Sequence, residues 1–236
     1  MGSIFPVGVG RAGWQPVVDG KVIPAHPFDR SVPSYSAHIP MIVGTNRNEA
    51  SASIGNAGME SLDEEGLKKK LSERFAAKAE KIYQVLRKVH PNVKPVEILS
   101  YVSPYNPMAY LQAERKAAQH AAPVYLYLFA WQTPVLDSRP RSFHCSEIPF
   151  VFANTDRCET MTGGGSQARD LAAKMSMAWL NFARTGSPDH KGLPQWKPFT
   201  NQNGATMVFN NNSEIRNDPD GEARQLLERL FYQRDL

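Results

Sequence analysis

Residues 39–50 read IPMIVGTNRNEA, an apolar run that stops abruptly at a polar turn. The stretch 40–45 is short, and Ile42 and Val43 are β-branched, so it predicts a buried strand rather than a helix. A second run of this kind, PVYLYLFAW at 123–131, is rich in Val, Tyr, Phe and Trp and reads as a central strand. Each is followed by a polar segment carrying a titratable residue. The first leads through Thr45, Asn46, Arg47 and Asn48 to Glu49. The second leads through a Pro-containing loop, 132–143, to His144 in FHCSEIPFVF. Chemistry collected beyond the carboxyl ends of strands is the habit of α/β proteins.

The rest of the chain supplies helices. Over 61–89, Leu67, Leu71 and Phe75 recur every four residues, Ile82, Val85, Leu86 and Val89 extend the face, and Pro91 ends it. Ser61 followed by Glu64 offers a capping box. Asn106 and Pro107 read as cap and first turn of an Ala-rich helix to about residue 121. Residues 167–183 place Leu171, Met175, Trp179 and Phe182 on one core-facing stripe. A last helix begins near 219, and 205–209 reads as a short strand. At the start, GSIFPVGVGRAG reads as loop, and WQPVVDGKVIP as two extended pieces about an Asp19-Gly20 turn. The expectation is a single unit over 1–236, with too few strands to give the central ones neighbours on both sides.

Composition excludes several functions. A chain with 42% apolar and 21% charged residues suits a soluble globular protein. Its net charge of +4 comes from dispersed residues, and Lys68-Lys69-Lys70 lies among Glu64, Glu65 and Glu73, so no nucleic-acid stripe is expected. There is no signal-peptide pattern and no apolar run of the roughly 18 residues a membrane helix needs. The compartment stays open. Cys145 and Cys158 allow one local disulfide at most.

None of the six histidines belongs to a zinc motif, so no metal or cofactor is expected. Cys145, adjacent to His144 in sequence, is a poor nucleophilic partner because neighbouring side chains diverge. As a general base His144 needs an orienting acceptor, and Glu49 is the best candidate, although local sequence leaves it equally an exposed turn glutamate. Acid before histidine matches the last two members of an α/β-hydrolase triad, whose nucleophile comes first on a Gly-x-Ser-x-Gly elbow. No such elbow and no Gly-Gly-Gly stretch precedes Glu49. Gly164-Gly165-Ser166-Gln167-Ala168 only imitates one, and Ser166 reads as a helix cap.

At these residues the chain resembles the type-B carboxylesterase family, which includes para-nitrobenzyl esterases and cholinesterases, over that family's C-terminal part. PVVDGKVIP at 16–24, IPMIVGTNRNEA at 39–50, FHCSEIPFVF at 143–152, and WLNFARTGSP at 179–188 with LPQW at 193–196 match in order. The resemblance implies the C-terminal half of an α/β-hydrolase with an incomplete central sheet. It implies Glu49 as triad acid and His144 as base, acting on a small-molecule carboxylic ester. Phe75, Met108 and Tyr110 become candidate pocket linings, with core positions the simpler expectation, and Glu147 an outlying support or salt-bridge partner rather than a second triad acid. Two departures stand out: Cys145 where the family commonly has Gly, and no serine elbow or oxyanion loop at all. The serine would come from a missing N-terminal segment or companion chain, and the chain alone is expected to be inactive. The alternative is a non-catalytic relative or protein-binding module.

Overall fold

The computed structural model describes residues 16–28 and 33–232. The glycine-rich stretch read as loop, residues 2–13, lies outside them. Among the described residues four strands form one sheet: β1 (Met41–Asn46), β2 (Val124–Phe129), β3 (Ala205–Phe209) and β4 (Glu214–Asn217), in that spatial order. β1, β2 and β3 run parallel, and β4 returns antiparallel to β3. Helices α1 (Glu64–Phe75), α2 (Ala79–Val89), α3 (Pro95–Tyr101) and α4 (Tyr105–Ala117) fill the crossover from β1 to β2. The crossover to β3 holds short α5 (Ile148–Val151) and α6 (Glu159–Thr162) before long α7 (Ser166–Thr185), and α8 (Gly221–Phe231) closes the chain.

Side-chain alternation along the strands builds two layers. Val124 and Leu126, with Met41 and Val43, pack against Ala109, Tyr110 and Ala113 of α4. Tyr125, Tyr127, Phe129 and Ile42 point the other way, into a cluster with Leu171, Met175 and Trp179 of α7. A separate helical cluster joins Leu67 and Leu71 of α1, Ile82 and Leu86 of α2, Ile98 of α3 and Leu227 of α8. Among the described residues no helix is long and apolar enough to cross a membrane.

The α/β architecture and the incomplete sheet agree with the sequence reading. Among the described residues β1 is bonded along one edge only, and its first four positions are partly exposed, whereas β2 is buried at five of six. Several local expectations fail. The pattern over 61–89 is two helices, because Ala76 adopts φ +47° and breaks the chain between them. The cap of α1 is Asp63, whose carboxylate accepts from Gly66 N at 2.8 Å, rather than Ser61. Asn106 is the second residue of α4 and donates to Asp220, while Pro104 takes the cap position. Ser166 is the first residue of α7 and makes no cap bond, with Gly165 at the cap. Over 16–24 there is a turn and no strand: Asp19 Oδ1 accepts from the main-chain N–H groups of Lys21, Val22 and Ile23. Tyr110 is buried against Phe199 and Phe75 packs on Phe231, as core residues do, and Met108 is half-buried.

Close approach of β1 to β2 depends on Gly44, which lies opposite Tyr127. A Cβ there would stand 2.3 Å from the Tyr127 ring, and that ring is held by Trp179 and Phe209. Gly44→Ala should therefore lower stability by about 1–3 kcal/mol, the usual cost of overpacking. Urea unfolding measures it, and Tyr127→Leu in the same chain should recover part of the loss. An unchanged midpoint would contradict the strand spacing described here.

Candidate active site

β1 ends at Asn46, and the next four residues turn back so that Glu49 lies under its own strand end. Glu49 Oε1 accepts from the Thr45 hydroxyl at 2.9 Å and from Asn46 N at 2.8 Å. Those two donors fix the carboxylate and leave Oε2 for His144, whose Nδ1 lies 2.6 Å away. The parallel register puts Asn46 opposite Phe129, so the turn after β1 and the loop after β2 start side by side. Arg47 N donates to Phe129 O at 2.9 Å and Asn48 N to Ser142 O at 3.0 Å, which stitches the two segments together. The two candidates are thus adjacent, although 95 residues separate them in sequence.

Exposure differs sharply across the pair. The Glu49 side chain is 10% exposed and that of His144 59%. A carboxylate can only accept, so Nδ1 carries the proton and Nε2 is the basic nitrogen of the neutral ring. The ring is flanked by Tyr105, with centroids 5.6 Å apart. An oriented imidazole with its outer side open can take a proton from a hydroxyl and return it.

The surrounding loop is under conformational load. Leu136, Asp137, Ser138, Arg141 and Cys145 all have φ between +50° and +65°. For Cys145 the value is +65°, the region where glycine carries no Cβ penalty, which explains why glycine would suit the position after the histidine. Cys145 and Cys158 are free thiols, so the local disulfide does not form. Burial raises the Cys145 thiol above its ordinary value, which removes thiolate character. Glu147 lies on the same loop, and its Oε2 accepts from Asn46 Nδ2 at 2.6 Å. Burial pushes its pKa up, the Asn46 donor opposes that, and the Glu49 charge reinforces it.

Sequence reading missed the residues that hold the loop. Arg141, 5% exposed, donates to both oxygens of Glu60 at 2.8 and 3.0 Å and pairs with Glu97 at 3.2 Å. Ser53 Oγ donates to Arg139 O at 2.9 Å, so the segment after Glu49 also grips the loop. Asn46 could have been noticed only as a polar residue closing an apolar run. Among the described residues no group of three or more His, Cys, Asp or Glu could hold a metal ion.

The Arg141 hydrogen bonds bring the Glu60 carboxyl down from 4.5 to about 2. A depressed folded-state pKa contributes stability above the unfolded value and loses it as pH falls through the folded one. Glu60→Gln should therefore be less stable than the unsubstituted chain at pH 7, with the gap closing between pH 4.5 and about 2. Thermal midpoints against pH test this, and a gap constant over that window would contradict it.

Comparison with known proteins places the chain in a family. The profile of the Carboxylesterase family matches residues 6–227. The para-nitrobenzyl esterase of Bacillus subtilis (strain 168) is 29% identical over 220 residues, covering 91% of this chain and 43% of the relative. The phenmedipham hydrolase of Pseudarthrobacter oxydans is 28% identical, covering 82% of this chain and 39% of the relative. Among solved structures, the Geobacillus stearothermophilus carboxylesterase superposes with TM-score 0.67 at 28% identity, over 90% of this chain and 45% of that one. An esterase from Clostridium hathewayi that can hydrolyse aliphatic aromatic polyesters also gives TM-score 0.67 and 28% identity, over 84% and 39%. The chain therefore spans less than half the length of the relatives it matches. Its sheet, its helices and the extent of the match agree: this is an α/β-hydrolase fold, and the chain belongs to the carboxylesterase family.

Proposed function

We propose that this chain is the acid-and-base portion of a serine carboxylesterase, the C-terminal part of one α/β-hydrolase unit. The observation that carries the proposal is the Glu49–His144 pair, 2.6 Å apart beyond the ends of neighbouring parallel strands with the ring facing outward. His144 Nε2 takes the proton of a serine hydroxyl as that oxygen attacks an ester carbonyl. The resulting imidazolium is stabilised by Glu49 and protonates the leaving alcohol. In the second half of the cycle the same nitrogen deprotonates water, which releases the acid and frees the serine.

The serine and the oxyanion donors come from polypeptide other than these 236 residues, which contain no Gly-x-Ser-x-Gly. Two features support completion from outside. β1 has an open edge among the described residues, suited to another parallel strand. Among the described residues, four of the five buried side-chain polar atoms without a hydrogen-bond partner, Asn46 Oδ1, Asn48 Nδ2, Ser51 Oγ and Ser146 Oγ, lie on the Glu49 turn or the His144 loop, and the fifth is Trp196 Nε1. Buried polar atoms are nearly always satisfied in a finished site. A purely binding role would not require the carboxylate–imidazole geometry.

The chain alone should show no turnover of para-nitrophenyl acetate above a His144→Ala control, and no serine should be labelled by a fluorophosphonate. Removing one triad member costs on the order of 10⁴ in turnover, and here both nucleophile and oxyanion hole are lacking. Catalytic hydrolysis, or covalent labelling of any serine in this chain, would overturn the assignment of the nucleophile to another segment.

A further inference from the structure

Asn46 is 1% exposed and hydrogen-bonds both Glu49 and the loop that carries His144. Its main-chain N–H donates to Glu49 Oε1 at 2.8 Å. Its side-chain Nδ2 donates to Phe143 O at 2.7 Å and to Glu147 Oε2 at 2.6 Å. Those acceptors bracket His144, one residue before it and three after. Thr45 also reaches Glu49, but the hydrogen bonds of its hydroxyl, to Glu49 Oε1 and Asn46 O, stay on the acid turn. One residue therefore fixes the acid by its backbone and the base loop by its amide.

We infer that Asn46 is a positioning residue for the Glu49–His144 pair, its amide setting where the histidine loop sits relative to the acid. The inference rests on the catalytic reading of the pair only in what that position is for. The chemistry of the site requires an amide. Both acceptors lie on half-buried residues, and each takes an N–H that no aliphatic side chain provides. Aspartate, equal in size, offers no donor and would set a third carboxylate beside Glu49 and Glu147. The Cys145 backbone, at φ +65°, gives the loop a reason to relax once its anchors are cut.

The test reads the pair itself and needs no turnover. In the full chain, a short Nδ1–H···carboxylate bond gives a low-field proton resonance, assigned to His144 by its disappearance in His144→Ala. That signal should be lost in Asn46→Leu and in Asn46→Asp. It should return, at least in part, in Asn46→Asp/Glu147→Gln, where donor and acceptor have exchanged places. It should persist in Leu71→Ala, which weakens the distant helical cluster by a cavity. If the unsubstituted chain lacks the resonance, the pairing behind the functional reading is wrong. If the chain shows it and folded Asn46→Leu keeps it, only the positioning role is overturned. Loss in Leu71→Ala as well, or an exchange variant that folds without regaining the signal, overturns it too. Failure of all three Asn46 variants to fold while Leu71→Ala folds would make Asn46 a general stability element and would equally refute the inference.

Discussion

The hydrogen bond from His144 Nδ1 to Glu49 closes a loop of 95 residues, and it depends on one register. Parallel pairing of β1 with β2 sets Asn46 opposite Phe129, so both strands end at the same height and their following segments share one edge. A slip of one residue would turn the side chains of Thr45 and Asn46 to the opposite faces and shift the Glu49 turn relative to the His144 loop. Gly44 permits that register because a Cβ opposite Tyr127 would strike the ring. The site is thus a consequence of strand packing before it is a matter of side-chain chemistry.

Around that pair the protein sets charges in braces instead of leaving them to solvent. Arg141 joins the histidine loop to Glu60 and Glu97. Arg47, two residues before the acid, pairs at 3.2 Å with Asp220 at the start of α8. Asp220 also accepts from Asn106 of α4 at 2.9 Å. Burial would raise Asp220, but the Arg47 charge holds it below the ordinary carboxylate range, so the pair stays ionic inside the fold. The helical cluster and the sheet are connected through these groups. Buried pairs of this kind contribute little net stability, but breaking one strands a charge, so they favour one arrangement over its alternatives.

What the sequence revealed, and what it hid, follows the same physics. β1 and β2 were legible because strands flanked on both faces need apolar runs, and their lengths ruled out helices. β4 was not, because Glu214, Arg216 and Asn217 face solvent on an edge strand and leave only Ile215 as a signal. The break at Ala76 was hidden because the apolar spacing continues across it, and a positive φ at alanine leaves no mark in composition. Glu49 was locally ambiguous, and chain order together with the family motifs selected it. Asn46 and Arg141 escaped because their roles are relations between distant segments, which no local pattern encodes.

The central claim is that this geometry serves a hydroxyl brought by another segment. A chimera tests it most directly, with the upstream portion of the Bacillus subtilis para-nitrobenzyl esterase joined to this chain in place of its own C-terminal part. The account predicts a folded enzyme that hydrolyses para-nitrophenyl acetate and loses on the order of 10⁴ in kcat with His144→Ala. A folded, active chimera indifferent to that substitution would contradict it, as would a folded chimera that retains the Glu49–His144 pair and is inert.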